Sequence, residues 1–143
     1  MAHRPRDNRH EFDKLPANAV RPLGALDAAA LRAWAADTGQ AFREIQFNGG
    51  ADKKAVLRSI AQSLAFPSWF GANLDALYDC LTDLPDGTAL GAARGWVIVL
   101  GPLPAPPHLD DDTRTALLDV FRDAAEDFAT RGVPLRVFFT PVA

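Results

Sequence analysis

Apolar positions along the chain come in short blocks whose spacing switches between helical and extended. Asp27 is placed to cap a helix over 28–36 in which Leu31 and Trp34 share one face, and Gly39 follows its end. In Phe42–Phe47, Ile45 and Phe47 alternate with Glu44 and Gln46, the two-residue period of a strand, and Asn48-Gly49-Gly50 closes it as a turn. Asp52 caps a second helix on which Val56, Ile60, Ala61 and Leu64 recur at helical spacing until Pro67 stops it. Asn73 opens a third, running to about Leu84 before a Pro85-Asp86-Gly87 turn. Trp96–Leu100 is an unbroken apolar run, the mark of a strand covered on both faces. Beyond the Pro-rich stretch Gly101–Pro107, the acids Asp110, Asp111 and Asp112 gather with Thr113 where a helix N-terminus favours negative charge. Leu117, Leu118, Phe121, Ala125 and Phe128 give that helix its stripe, Gly132 ends it, and Leu135–Phe139 supplies a last strand. Helices alternating with short apolar strands predict an α/β fold, a small parallel sheet between helix layers.

Residues 1–19 are polar and basic, so a disordered arm is expected there, with a single domain over 20–143. A chain of 143 residues is long enough for one self-sufficient core. Cys80 is the only cysteine, which rules out an internal disulfide or a four-cysteine zinc site and fits a reducing compartment. The net charge of −3 opposes direct nucleic-acid binding, which needs a basic face. No apolar run approaches the roughly 20 residues that span a bilayer. No apolar stretch follows the basic N-terminus as a secretory signal requires, so a cytoplasmic location is expected.

Local rules break on the third helix. With residues advancing about 100° each, Leu74, Leu77, Cys80, Leu81 and Leu84 gather on one side. Asp75, Asp79 and Asp83 line the other, with Tyr78 on the boundary. Asp is a poor interior helix former, and each like-charged pair four residues apart costs roughly 0.2–0.5 kcal/mol. Only Asp75, in the first turn, gains from the helix dipole, and no Lys or Arg occurs between Arg58 and Arg94. Spacing alone fits a solvated acidic face as well as a cation-binding or partner-binding one. The aromatics flanking the acids favour a protein partner: Trp69 and Phe70 precede the helix outside its apolar stripe, and Tyr78 borders the carboxylates. Phe70 is expected to be a buried anchor; Trp69 fits either role.

Enzymatic readings find less support. Paired carboxylates serve acid–base chemistry when one is partly desolvated, whereas Asp75 and Asp79 fall on a face expected to be exposed. The histidines, His3, His10 and His108, lie in the arm and the Pro-rich stretch, so no Ser–His–Asp or Cys–His arrangement assembles. Cys80 falls on the apolar side as a packed thiol. The run Asp110–Asp112 points its side chains apart and reads as a helix start rather than a metal cluster. No metal site and no cofactor are expected.

The segment Phe66-Pro-Ser-Trp-Phe-Gly-Ala-Asn-Leu-Asp-Ala-Leu-Tyr-Asp-Cys-Leu-Thr82 resembles the barstar family of ribonuclease inhibitors. Weaker similarity extends from Arg43–Gly49 to Leu135–Phe139 and includes Val120-Phe-Arg-Asp-Ala124, about two-thirds of the chain. The resemblance implies a three-layer fold in which a three-stranded parallel sheet is packed by helices, with an extra N-terminal helix as in longer relatives. It also implies a partner: a small basic ribonuclease of the barnase type, whose active site the inhibitor plugs. The family's principal binding acid falls on Asp79 and a second on Asp75. Its aromatic contacts fall on Trp69, where tyrosine is familiar, and Tyr78, where tryptophan is familiar, while Asp123 replaces a glutamate on the last helix. Asp83 and Leu84 stand where the family has Gly-Trp, a second cysteine near Gly132-Val133 is absent, and the Pro-rich stretch replaces a short helix. The expectation is a non-enzymatic inhibitor, monomeric when free, that binds through Asp75, Asp79, Trp69 and Tyr78, with Asp83 and Asp123 at the rim. The alternatives are an immunity or regulatory module for a different toxin and, more remotely, an aspartate-based metal-dependent hydrolase.

Overall fold

The computed structural model describes residues 9–85 and 94–141. The elements run α1 (Arg9–Asp13), β1 (Asn18–Pro22), α2 (Ala28–Asp37), β2 (Ala41–Ile45), α3 (Lys53–Ser63), α4 (Leu74–Thr82), β3 (Trp96–Leu100), α5 (Asp111–Thr130) and β4 (Leu135–Phe139). The expected cap residues, and Asp110 among the helix-start acids, hold their helices by accepting a backbone N–H. Asp27 accepts from Ala29 at 3.1 Å, Asp52 from Ala55 at 2.9 Å, Asn73 from Ala76 at 2.8 Å and Asp110 from Thr113 at 2.7 Å. Gly39 and Gly132, just past α2 and α5, have φ of 74° and 70°, a region in which a side chain strains the backbone.

All strand pairs are parallel, in the order β1-β4-β3-β2. The α/β class and parallel sheet match expectation; among the described residues the strand count is four rather than three. The added strand is β1, in register with β4 from Asn18 opposite Leu135 to Pro22 opposite Phe139. Its apolar content is too low to signal a strand, so its placement depends on distant partners. The Asn18 side-chain amide donates to the carbonyls of Ala125 and Val133, each at 2.9 Å, and Pro22 is tolerated because the strand lies on an edge.

The sheet is covered on both faces, which explains why β3 is apolar throughout. Ile45, Trp96, Ile98, Leu100, Leu135 and Val137 pack in the larger core with α3, α4 and α5. Val97, Val99 and Phe138 face the other way, into a second core with Phe12, Leu31, Trp34 and Ala35. The α2 connection joins the two edge strands, β1 and β2, across this second face.

The disordered arm expected over 1–19 is corrected for the described part of it. Residues 9–13 are helical and Phe12 is buried, its ring 5.7 Å from Trp34 in an edge-on arrangement. The physical reason is the open second face: one aromatic side chain, landing on Trp34, buries enough apolar surface to order a polar segment. Trp34 also donates its indole N–H to Asp13 at 2.9 Å. Beneath it Arg136 is buried, stacked 4.9 Å from the indole and donating to Gln40 at 3.0 Å. Desolvation is the main influence on the Arg136 guanidinium and lowers its pKa, an effect opposed by Asp13. Residues 1–8 and the expected turn at Asp86-Gly87 lie outside the described residues.

The α5 cap makes stability depend on acid. Hydrogen bonds from Thr113, first its hydroxyl and then its backbone N–H, hold the Asp110 carboxyl below its ordinary value of 3.8. A depressed carboxyl pKa stabilises the fold above the unfolded value and loses that contribution as pH falls through the folded one. Asp110→Asn keeps a capping oxygen but cannot titrate. Urea midpoints are expected to be similar for parent and variant at neutral pH, with the parent falling further below pH 3.8.

Candidate functional site: the acidic face of α4

The sequence of α4 divides its sides as expected. Leu77, Cys80 and Leu81 are buried, and Leu84 is buried just beyond the helix. Asp75, Asp79 and Asp83 are exposed, with Tyr78 and Thr82 half-buried between the two sides. Among the described residues no hydrogen bond or ion pair engages the side chains of Asp75, Asp79, Asp83 or Asp123. The acids that do have basic partners are elsewhere, as in Arg114–Asp111 at 2.7 Å and Arg122–Asp119 at 2.9 Å.

Asp83 occupies the C-cap, its backbone N–H reaching the carbonyl of Asp79 at 3.1 Å. A carboxylate there opposes the helix dipole, so Asp83 costs the helix stability while deepening the negative potential at that end. The nearby cation, Arg131, makes no described bond to the Asp83 carboxylate. Arg131 lies 4.0 Å over the Phe128 ring, donates to the Thr82 carbonyl at 3.1 Å and pairs with Asp127 at 3.4 Å. Asp123 is exposed one turn before Asp127 on α5, the helix packed against α4.

Trp69 is 61% exposed, the one large exposed hydrophobic side chain among the described residues. Phe70, expected as an anchor, is half-buried against the core with its ring 5.3 Å from Phe66. The segment carrying Trp69 runs between two alanines in the left-handed region, Ala65 at φ 55° and Ala72 at φ 52°. That conformation costs a residue with a Cβ roughly 1–2 kcal/mol, so the loop geometry is held against local preference. Ala65 is exposed, and Ala65→Gly is expected to raise stability by about 0.5–1 kcal/mol in urea unfolding. A variant no more stable than the parent would show that the strain is relieved in solution.

Sequence reasoning identified the acids and aromatics but missed Thr82 and Arg131, which finish the end of α4. Thr82 donates its hydroxyl to the carbonyls of Tyr78 and Asp79 at 3.0 and 3.1 Å, a local bond that a threonine in a last helical turn signals. Arg131 is distant in sequence and gives no such signal. Burial raises the pKa of the Cys80 thiol, with Asp83 and Asp79 adding to the effect, so Cys80 is a packing residue here. Among the described residues no three His, Cys, Asp or Glu side chains converge closely enough to hold a metal ion. No described helix is long and apolar enough to cross a membrane.

Fold and site together define a small α/β protein with an acidic helix face, unpaired among the described residues, and an exposed indole beside it. The family model described as Barstar (barnase inhibitor) matches residues 40–140, and the chain belongs to the barstar family. Its members are inhibitors that bind barnase-type ribonucleases. The match begins after α2, so the layer covering the second sheet face lies outside it. No curated protein matches the chain.

Proposed function

We propose that this chain is an intracellular, non-enzymatic inhibitor of a small basic ribonuclease, and that α4 sets carboxylates where RNA phosphates lie in the nuclease cleft. The observation that carries the proposal is the exposure of Asp75, Asp79 and Asp83 on one side of α4 with no basic partner among the described residues. A ribonuclease cleft is lined with cations that hold phosphate, and carboxylates offered by a folded helix occupy it without being cleaved. Asp79 and Asp75 are the central acids, Trp69 and Tyr78 the aromatic contacts, and Asp83 and Asp123 the rim. Opposite surface charges speed the encounter and make it sensitive to salt.

The test is titration of a barnase-type ribonuclease with the full chain while hydrolysis of a fluorogenic RNA is followed. Stoichiometric inhibition that weakens with added salt is expected. Undiminished hydrolysis at a large excess of the chain would overturn the barnase-type assignment. A second reading, an immunity module for a different toxin, is favoured by Trp69, Tyr78, Asp83 and Leu84, which depart from the family's pattern. It predicts that a partner captured from a lysate lacks ribonuclease activity.

A further inference from the structure

We propose that the cavity between Trp69 and Asp83 receives a single arginine side chain from the partner protein, an inference that rests on α4 being the partner-binding face. The cavity has a volume of about 120 Å³. Leu64, Phe66, Pro67 and Leu84 supply apolar walls, and the buried Cys80 also lines it. Among the described residues only one charged side chain, Asp83, contributes to the lining, and Trp69 stands beside it with most of its surface open to solvent.

These walls select their occupant by charge and shape. An apolar side chain would strip water from Asp83 and leave its carboxylate without a partner, an unfavourable outcome. An acidic one would meet Asp83 inside the cavity and Asp79 one turn away. A cation satisfies the carboxylate and also meets the negative end of the α4 dipole, where Thr82 already gives its carbonyl to Arg131. Between the two common cations the walls favour arginine. Its methylene stem fits apolar surface, its weakly hydrated planar head stacks on an indole, and its fork of donors matches a carboxylate. Lysine is a compact, strongly hydrated charge and gains less from either the indole or the apolar walls. Burial first, and then Asp83 and Asp79, raises the pKa of the Cys80 thiol on the cavity wall.

The feature also accounts for a cost that the fold gains nothing from. Asp83 opposes the helix dipole and makes no described side-chain bond, so its removal leaves α4 at least as stable. Asp83→Asn therefore tests binding without risking the fold.

The experiment is two-dimensional NMR of the isotope-labelled full chain titrated with N-acetyl-arginine amide, N-acetyl-lysine amide and the neutral isostere N-acetyl-citrulline amide. Saturable shifts of the Trp69 indole N–H and the Asp83 backbone N–H are expected with the arginine compound, and weaker ones with lysine. The response, read in both variants at the backbone N–H of residue 83, should be at least about tenfold weaker in Asp83→Asn and in Trp69→Ala. Asp112→Asn, the same charge change in the first turn of α5, should leave it unaltered. Equal shifts with citrulline, or an undiminished arginine response in Asp83→Asn, would overturn the proposal. An equal response to lysine would overturn the choice of guanidinium. No nuclease is present, so a negative result here and a failure of ribonuclease inhibition are separate outcomes.

Discussion

Trp34→Ala is expected to lower the stability of the chain by about 3–5 kcal/mol, the cost of emptying a large aromatic site in a core. Several losses coincide at this position. The indole fills the centre of the second core, takes the edge of the Phe12 ring, donates to Asp13 and provides the face on which the buried Arg136 guanidinium stacks. Without the ring, that guanidinium keeps Gln40 but loses its stacking partner, and α1 loses its anchor. Natural domains hold only about 5–15 kcal/mol in total, so the variant should unfold at a much lower urea concentration. A loss under about 1 kcal/mol, the ordinary effect of a point substitution, would mean that α1 and α2 do not close the sheet as described.

Asp79→Ala is expected to weaken ribonuclease inhibition by about 2–5 kcal/mol, the general cost of truncating one partner of a buried charge pair, for which complexes of this family are among the examples. At 1.4 kcal/mol per tenfold, that is at least about thirtyfold in the inhibition constant. The loss is large because cations drawn into the interface would be left without their carboxylate. Folding should be indifferent or slightly improved, since Asp79 is exposed, has no described side-chain partner and sits four residues from both Asp75 and Asp83. Urea midpoints and inhibition titrations on the same preparation separate the two effects. Inhibition equal to that of the parent would remove Asp79 from the binding face.

Features fixed by neighbours in sequence were the legible ones. Asp27, Asp52, Asn73 and Asp110 announce helices because a cap is made within three residues, and β3 announces itself because five consecutive apolar residues need cover on both faces. The acid face of α4 was legible for the same reason: a four-residue period and a helix suffice to align Asp75, Asp79 and Asp83. What stayed hidden depends on contacts between distant segments. Phe12 is a lone aromatic in a polar stretch until Trp34 is beneath it. Asn18 becomes a strand residue through carbonyls more than a hundred positions away. Arg136 resembles an outward position on an alternating strand, yet the α1–α2 layer buries it. Nothing about an alanine marks Ala65 or Ala72 as left-handed, so the shape of the Trp69 loop and the cavity beside it could not be read from residue types.

Helix α1 lies on one side of the sheet and α4 on the other, which bears on how the protein can be manipulated. A fluorescent reporter or affinity handle attached at the exposed Lys14, just past α1, sits in the layer opposite the acidic helix. Surface immobilisation through that residue should leave Trp69 and the α4 carboxylates pointing toward the bulk phase, where a captured nuclease can approach them.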